Sequence, residues 1–189
     1  MKVILGLGNP GPRYTGTRHN IGVEVLERLA QRWGVAVTDL KDTYAGGRGR
    51  VADSDCYLAV GRTFMNLSGK AANALANKMS RQVENLIVVQ DDIDLPPGKV
   101  RLKTGGGDGG HRGIRSIIGT LGDKNFVRVK VGVGRPDDGH TEVADFVLQR
   151  FKPDEKIAVE NGVERAADAV EILLREGLTA AQSGTHGRP

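Results

Sequence analysis

The run Leu86-Ile87-Val88-Val89 constrains the fold of this chain more than any other segment. Four consecutive large aliphatic residues are typical of a strand that is buried on both faces of a sheet. Such a sheet needs a layer of helices on each face, and segments with helical periodicity alternate with strand-like segments along this chain. The sequence therefore predicts an α/β fold, a single domain in which a mixed central β-sheet is flanked by helices.

The predicted elements follow from apolar periodicity and from the turn residues between them. Strands are predicted over residues 2–8, 44–52, 56–63, 85–91, 100–104 and 126–133, with a short strand at 35–38. Helices are predicted over residues 20–33, 66–79 and 112–121, and a long one runs from Pro153 to Gly177. We expect residues 1–177 to form one domain and the small, polar residues 178–189 to be a frayed tail.

Length and composition limit the class of protein. With 189 residues the chain is long enough for one well-filled core and short for two domains. The single cysteine, Cys56, excludes an internal disulfide and suits a reducing compartment. The sequence shows neither a signal-peptide pattern nor an apolar run of membrane-spanning length. We therefore expect a cytoplasmic protein with no membrane partner.

Basic residues alternate with apolar ones in two of the predicted strands. Arg101 and Lys103 lie in the first strand, and Arg128 and Lys130 lie in the second. Because alternate residues of a strand share a face, each strand would present a basic row to solvent, and neighbouring strands would form one positive surface. The net charge is +4, and clustered basic residues favour a nucleic-acid partner. An ordinary solvated sheet face is the alternative.

His19 lies between a glycine-rich strand end and a predicted helix, in the segment Thr17-Arg18-His19-Asn20. Proteins of the α/β class place reacting groups where a strand ends and a helix starts. Asn20 is a good N-cap residue, and the positive end of the helix dipole would keep the imidazole neutral and able to accept a proton. His19 is therefore a candidate general base, unless it only helps to cap the helix.

The loop Gly6-Leu7-Gly8-Asn9-Pro10-Gly11 matches the dinucleotide fingerprint G-x-G-x-x-G. In that fingerprint the last glycines open a helix whose N-terminus holds a pyrophosphate. Here Pro10 and Pro12 bracket Gly11, and the predicted helix starts several residues later. We therefore reject a dinucleotide site and interpret the loop as a rigid turn that exposes the amide of Asn9.

Acidic residues follow the buried strand at its C-terminal end. Asp91 could orient an imidazole, as in a His–Asp pair. Asp92 and Asp94, in an Asp-x-Asp spacing after an apolar strand, would equally suit a Mg²⁺-dependent phosphohydrolase. The pattern by itself leaves both interpretations open.

Residues 63–69 place Met65 and Asn66 between a strand and a helix. Asn66 could be an N-cap, or it could grip a peptide or ester group together with Asn9, since an amide both donates and accepts hydrogen bonds. The two interpretations are about equally supported by the sequence.

The glycine-rich loop 105–113 ends in His111 and Arg112 at the start of a predicted helix. Glycines let a backbone approach a ligand closely, and a phosphate or ester oxygen could bind at this helix start. The chain has no Gly-x-Ser-x-Gly elbow and no His or Cys spacing for zinc. A histidine base that activates water is the economical mechanism that remains.

Five of these segments together resemble the bacterial peptidyl-tRNA hydrolase family. They occur in family order, and the likeness covers residues 1 to about 175. One such segment would be a weak signal, but five in register are highly specific. The segments are Gly-Leu-Gly-Asn-Pro-Gly (6–11), Tyr14 with Thr-Arg-His-Asn (17–20), Thr-Phe-Met-Asn-Leu-Ser-Gly (63–69), Asp-Asp-Ile-Asp-Leu-Pro-Pro-Gly (91–98) and Gly-Gly-Gly-x-Gly-Gly-His (105–111).

The resemblance implies a catalytic domain that cleaves the ester between a peptide and the 3′ end of tRNA, a reaction of translation and ribosome rescue. It implies that His19 activates water and that Asp91 holds and polarises His19. It also implies three sets of substrate contacts. Asn9 and Asn66 would position the peptidyl group with Met65 beside them, Tyr14 would line the same cleft, and His111 would stand at its far side on a mobile loop.

The partners and cofactors implied by the resemblance are few. Peptidyl-tRNA would be held by its acceptor arm and 3′ CCA end, and no obligate protein partner, cofactor or metal would be needed by a monomeric enzyme. The family's use of basic residues for the tRNA matches Lys103 and Lys130, with Arg101 and Arg128 in the same two rows.

Arg112 departs from the family pattern, in which Asn usually follows the loop histidine. Arginine only donates hydrogen bonds and stays charged, which excludes an acceptor role at this position. We expect Arg112 to contact a phosphate or carbonyl oxygen, or the substrate contact to move to a neighbour.

The sequence leaves two other classes of function open. A metal-dependent phosphohydrolase using Asp92 and Asp94 would lose its activity in EDTA. A non-catalytic RNA-binding module, motivated by the basic rows, would bind tRNA without forming a product. Aromatic residues make up 4% of the chain, too few for a base-stacking platform.

Overall fold

The computed structural model describes residues 1–186, and its strands form one mixed sheet in the order β2-β3-β4-β1-β5-β7-β6. The central strands β4, β1, β5 and β7 are parallel, whereas β2, β3 and β6 join antiparallel. The strands are β1 (Lys2–Gly6), β2 (Asp39–Leu40), β3 (Tyr44–Val51), β4 (Ser54–Gly61), β5 (Leu86–Asp92), β6 (Val100–Thr104) and β7 (Val127–Gly132).

Helices cover both faces of this sheet, as the buried run of β5 predicts. The α-helices of the described chain are α1 (Ile21–Trp33), α2 (Ser68–Ala74), α3 (Arg112–Leu121), α4 (Val143–Phe146), α5 (Lys156–Glu176) and α6 (Leu178–His186). One core lies between the sheet and α1 with α5, and a second lies between the sheet and α2 with α3. Every residue of β5 is buried. The prediction of a single α/β domain with a mixed central sheet is confirmed.

Several predicted boundaries were wrong for local reasons. The strand predicted at 35–38 lies instead at Asp39–Leu40, because left-handed Gly34 ends α1 and the chain first has to turn. The helix predicted over 66–79 is a 3₁₀ turn and a short α2, followed by turns. Those turns end at Ser80 and Arg81, whose left-handed backbones stop any helix from continuing beyond residue 79.

The frayed tail predicted from Leu178 was wrong for residues 178–186, which form α6. Ala181 is fully buried, and Gln182 Nε2 donates to the carbonyl oxygen of Leu102 at 3.1 Å. The Leu102 N–H donates in turn to His186 Nε2 at 3.0 Å. Helix α6 therefore covers the open edge of β6, where unpaired backbone groups would otherwise be exposed. The rest of the predicted tail, 187–189, lies outside the described residues.

His186 contributes to this cover in its neutral form. Burial lowers the pKa of its imidazole from the ordinary 6.5, and the charges of Arg101 and Lys99 lower it further. The neutral ring is the state that can accept the Leu102 N–H.

Within residues 1–186, no helix has the length and apolarity that crossing a membrane would require.

A glycine at the end of β1, Gly6, and one in the first turn of α1, Gly22, let these two elements pack at backbone distance. A Cβ added to Gly22 would lie 2.4 Å from the carbonyl oxygen of Val89, and one added to Gly6 would lie 2.5 Å from that of Gly22. Two 3₁₀ turns, Pro12–Tyr14 and Arg18–Asn20, separate the glycine motif from the first turn of α1. The glycines thus have a packing role and do not open the helix.

We predict that Gly22→Ala destabilises the protein by about 1–3 kcal/mol, because backbone atoms cannot yield to the added methyl group. Gly119→Ala is the matched control: Gly119 is an exposed residue of α3 whose added Cβ meets no atom within 4 Å. In urea unfolding, the free energy of unfolding of Gly119→Ala should exceed that of the wild type by about 0.5–1 kcal/mol, because alanine is the better helix former. Equal stabilities of the two variants would contradict the packing argument.

Candidate active site

The predicted site residues converge on one cleft of about 680 Å³ at the ends of β1, β5 and β7. This volume suits a small-molecule or chain-end ligand. Ten of the twelve candidates line the cleft, whereas Tyr14 and Arg101 do not. The ten are Asn9, His19, Met65, Asn66, Asp91, Lys103, His111, Arg112, Arg128 and Lys130.

A buried carboxylate, that of Asp91, bonds two imidazoles at the centre of the cleft. His19 Nδ1 lies 2.8 and 2.9 Å from the two carboxylate oxygens. His111 Nε2 lies 2.8 Å from Oδ1, and the centroids of the two rings are 5.0 Å apart. The pairing of His19 with Asp91 that the sequence suggested is therefore present in the structure.

The position of His111 differs from the prediction that it stands across the cleft on a mobile loop. It is the N-cap of α3, and its Nδ1 accepts the backbone N–H groups of Gly113 and Ile114 at 3.2 and 3.3 Å. Gly113 leaves room for this ring and for Met65, since a Cβ there would lie 3.1 Å from His111 Cε1 and 2.5 Å from Met65 Sδ. The helix cap and the carboxylate hold His111 from both sides.

These contacts determine the tautomer of each ring. His111 Nδ1 accepts two N–H groups, so the proton of the neutral ring is on Nε2 and is donated to Asp91. An ionised carboxylate only accepts, so His19 donates to it from Nδ1. His19 Nε2 is then the unprotonated nitrogen, and it has no hydrogen bond within the described residues.

The charge state of Asp91 follows from its surroundings. Burial alone would raise the pKa of its carboxyl, but the electrostatic attraction and hydrogen bonds of His111 and His19 outweigh burial and hold this pKa well below its usual range. Asp91 is therefore ionised at neutral pH. A fixed negative charge beside His19 favours the imidazolium that would form when Nε2 takes a proton.

Asn20 occupies the N-cap position of α1, but its side chain does not cap the helix as the sequence predicted. Its Oδ1 accepts the backbone N–H of Asn9 at 2.8 Å, and its Nδ2 donates to the Asn9 carbonyl oxygen at 2.9 Å. Asn9 Oδ1 accepts the N–H of Met65 at 2.7 Å. Asn9 is thus locked in place, and its Nδ2 is left free to donate into the cleft.

Of two further residues predicted to contact the substrate, Asn66 lies at the cleft and Tyr14 does not. Asn66 is exposed at the cleft, and its side-chain amide has no hydrogen-bond partner in the described chain and can bond a ligand. Tyr14 does not line the cleft but packs edge-on against Phe64, with ring centroids 6.2 Å apart. Phe64 itself lines the cleft and is 55% exposed.

Some lining residues were missed by sequence reasoning. Phe64 directly precedes Met65 and Asn66 in the segment 63–69, and this position was the signal that could have identified it. Val147 and Leu148 follow the short α4, which has too few residues to show periodicity. Gln90 precedes Asp91 in a buried strand and looked like an ordinary core position.

The two strands that carry the basic rows are neighbours, which the sequence had left open: Arg101 pairs with Lys130 and Lys103 pairs with Arg128 in the β6–β7 register. Arg128 was wrongly predicted to face solvent. It is 3% exposed, and its Nη1 and Nη2 donate to the carbonyl oxygens of Gly107 and Gly106 at 2.6 and 2.8 Å. Strand alternation could not reveal that the glycine-rich loop folds over this face.

The remaining cations have distinct environments. Lys130 Nζ lies 2.5 Å from Asp92 Oδ2, so it neutralises a buried carboxylate at the cleft wall. Lys103 lines the cleft, whereas Arg101 is exposed outside it. Arg112 is exposed at the start of α3, and its side chain makes no hydrogen bond or ion pair within residues 1–186.

The spacing and pairing of the possible ligand atoms test whether the cleft is built to bind a metal ion. Nitrogen and oxygen atoms of His19, Asp91 and His111 all lie within 4.8 Å of one another. Their separations of 2.8–2.9 Å are those of hydrogen bonds, whereas a tetrahedral zinc ion would hold its ligand atoms roughly 3.3 Å apart. The Asp-x-Asp carboxylates are already paired, Asp92 with Lys130 and Asp94 with Arg135, which disfavours a magnesium site.

Comparisons with known proteins point to one family. A family model described as Peptidyl-tRNA hydrolase matches residues 3–189. The peptidyl-tRNA hydrolase of Dehalococcoides mccartyi is 44% identical over 185 residues, which cover 97% of this chain and 98% of the relative. That of Geobacillus thermodenitrificans is 47% identical over 171 residues, with 90% and 91% coverage. The crystal structure of the Acinetobacter baumannii enzyme superposes with a TM-score of 0.90 at 32% identity, covering 97% of this chain and 93% of that one.

We predict that Asp91→Asn changes the protonation of the two rings, because an amide offers one acceptor and one donor where the carboxylate offers two acceptors. Nitrogen NMR should show one imidazole losing its wild-type tautomer. The variant should also be less stable by about 1–3 kcal/mol at pH 7.

The stability difference has a defined pH dependence. Because the folded-state pKa of Asp91 lies below the ordinary 3.8, its contribution is present above pH 3.8 and is lost as the pH falls through the folded value. The gap between wild type and Asp91→Asn should therefore narrow in acid, whereas exposed Asp53→Asn should show no gap. Unchanged tautomers in Asp91→Asn would refute the shared-carboxylate arrangement.

Proposed function

The chain belongs to the peptidyl-tRNA hydrolase family, and we propose that it uses His19 to activate the water that hydrolyses the ester between a peptide and the 3′ end of tRNA. The observation that carries this assignment is the orientation of His19. Asp91 holds its Nδ1 and leaves Nε2 unprotonated at the cleft. A positioned base of this kind contributes about 10²–10⁴-fold to a rate.

The reaction follows from these groups. Nε2 of His19 takes a proton from water as the oxygen attacks the ester carbonyl, and Asp91 stabilises the imidazolium that forms. The tetrahedral intermediate collapses, the ester bond to the ribose oxygen breaks, and the imidazolium returns its proton to that oxygen. The Asn9 Nδ2 donor is available to the developing negative charge because its own Oδ1 is already engaged by Met65.

Recognition of the peptidyl group is assigned to the two amides and the apolar wall beside them. Asn9 donates from a locked position, and exposed Asn66 can both donate and accept. Met65 and Phe64 supply apolar surface for a side chain. A site built to bond a peptide amide disfavours an aminoacyl ester that lacks one, because a buried polar group left unpaired costs about 1–3 kcal/mol.

The basic face of β6 and β7 is proposed as the surface for the acceptor arm and 3′ CCA end. Lys103 and Lys130 lie at the cleft, and Arg101 extends the same face. The three side chains can therefore bind successive phosphates along the tRNA backbone. Arg128 serves this surface indirectly by holding the glycine-rich loop. Arg112 is free to bond a phosphate or a carbonyl oxygen of the substrate.

The other properties proposed are those of a self-sufficient enzyme. The His–Asp–water arrangement needs no cofactor, and we propose that the protein works as a cytoplasmic monomer. Helix α6 belongs to the same domain as residues 1–177, since it buries Ala181 and bonds β6.

We expect the purified protein, with EDTA present, to cleave N-acetyl-aminoacyl-tRNA and to spare free aminoacyl-tRNA. His19→Ala should lose at least about 10²-fold in kcat while keeping its tRNA affinity, because the base is removed and the basic face is untouched. Release of deacylated tRNA measures the first quantity, and filter binding measures the second.

Each alternative predicts a different result in that assay. Cleavage that is lost in EDTA and restored by Mg²⁺ would favour a metal-dependent enzyme. Binding of tRNA with no product at any protein concentration would favour an RNA-binding module. Wild-type turnover by folded His19→Ala would remove His19 from the mechanism.

We further expect Asn9→Ala and Asn66→Ala to reduce the preference for blocked over free aminoacyl-tRNA by about 5–100-fold, since each removes an amide reader. Arg112→Asn should raise KM at low salt and weaken the salt dependence, because a phosphate contact is lost. The matched control is Arg81→Asn, which removes an exposed charge that does not line the cleft. Unchanged kinetics in Arg112→Asn would show that position 112 is not part of the site.

A further inference from the structure

Arg18 is a buried cation that the reaction does not use, although it directly precedes His19. Its side chain is 1% exposed, and its hydrogen bonds and ring contacts go to residues that do not line the cleft. A fully buried guanidinium is costly unless hydrogen bonds and a counter-charge compensate it. The identity of its partners therefore indicates which part of the structure depends on it.

All the partners of the Arg18 guanidinium lie in one stretch, residues 143–155, called here the wall segment. Nη1 donates to the carbonyl oxygens of Gln149 and Arg150 at 3.3 and 2.7 Å. Nη2 lies 2.8 Å from Glu155 Oε2, which also accepts the backbone N–H of Lys152 at 2.7 Å.

Two aromatic rings of the wall segment complete the enclosure. The guanidinium carbon lies 4.1 Å from the ring centroid of Phe146 and 5.2 Å from that of Phe151. Cation–π attraction is strongest where water is excluded, as it is around this side chain. The guanidinium thus uses its fixed set of N–H donors for hydrogen bonds and its flat face for the rings. A lysine ammonium has neither this donor geometry nor a flat face.

The wall segment meets both the substrate and the His19 turn. Val143, Ala144, Val147 and Leu148 line the cleft. The backbone N–H of His19 donates to the carbonyl oxygen of Val147 at 2.8 Å, and that of Arg18 donates to Gln149 at 3.0 Å. The side chain of Arg18 thus fastens the same segment to which the backbone of His19 is bonded.

We propose that Arg18 is a positioning residue that locks the wall segment against the His19 turn and thereby fixes Nε2 relative to the bound ester. The inference rests on the proposed role of His19. Misplacement of a catalytic group by about 1 Å can cost on the order of 10²-fold in rate, so the effect belongs mainly in kcat.

The test compares Arg18→Lys, Arg18→Met and Glu155→Gln with wild type. Asp168→Asn is the matched control, because it removes a carboxylate from another arginine, Arg32, at the same 2.8 Å spacing but outside the cleft. Three quantities are measured for each folded variant: kcat and KM on N-acetyl-aminoacyl-tRNA, the pH profile of kcat, and the amide hydrogen exchange rate of His19.

We expect kcat to fall at least tenfold in Arg18→Met, nearly as much in Arg18→Lys and less in Glu155→Gln, with a smaller change in KM. Exchange of the His19 amide should accelerate at least tenfold in the same order, because its acceptor at Val147 is released. The midpoint of the pH profile should stay unchanged, since the Asp91 contacts remain. Asp168→Asn should match wild type in all three quantities.

Folded Arg18 variants with kcat within twofold of wild type would overturn the proposal, as would slow turnover with wild-type exchange at His19. If both Arg18 variants fail to fold, Glu155→Gln decides: wild-type kcat and exchange in that variant would overturn the proposal. A parallel His19→Ala arm keeps the two hypotheses apart. Undiminished kcat there would reject water activation by His19 whatever the exchange data show.

Discussion

The shared carboxylate of Asp91 is the interaction on which the site depends. It is buried, it accepts from two imidazoles, and each imidazole is tied at its other side to a different part of the chain. His111 is held by the first turn of α3, whereas His19 is held by the wall segment through its backbone. One ionised group, on a strand, thus holds a helix start and a turn that are distant from it in the sequence.

That arrangement is possible because the backbones around it approach so closely. Gly22 lets α1 lie against Leu7 and Val89, and Gly113 lets α3 lie against Met65. The two asparagines of the first loop then lock one another, so that Asn9 presents a donor without choosing among rotamers. A site on such supports loses little entropy when a substrate binds, which is how modest groups can give efficient ester hydrolysis.

Sequence reasoning identified most of the cleft and erred where a residue's role depends on a distant partner. Arg128 has the alternation of a solvent-facing strand residue, yet the glycine-rich loop crosses that face and takes its hydrogen bonds. Asn20 occupies an N-cap position but is used by Asn9. The small, polar residues after Gly177 look like a frayed end, yet they form α6, which buries Ala181 and bonds the edge of β6 through Gln182 and His186.

The sequence by itself determined the α/β class, the central buried strand, the helix at 112–121, the long helix between Pro153 and Gly177, and the family through its five segments, because periodicity and short motifs are local properties. Only the tertiary structure decided that His111 shares the carboxylate with His19, which tautomer each ring holds, and that Arg18 fastens the wall segment. Hydrogen-bond direction and the compensation of buried charge depend on atoms brought together from distant positions. A local pattern contains no information about those distances.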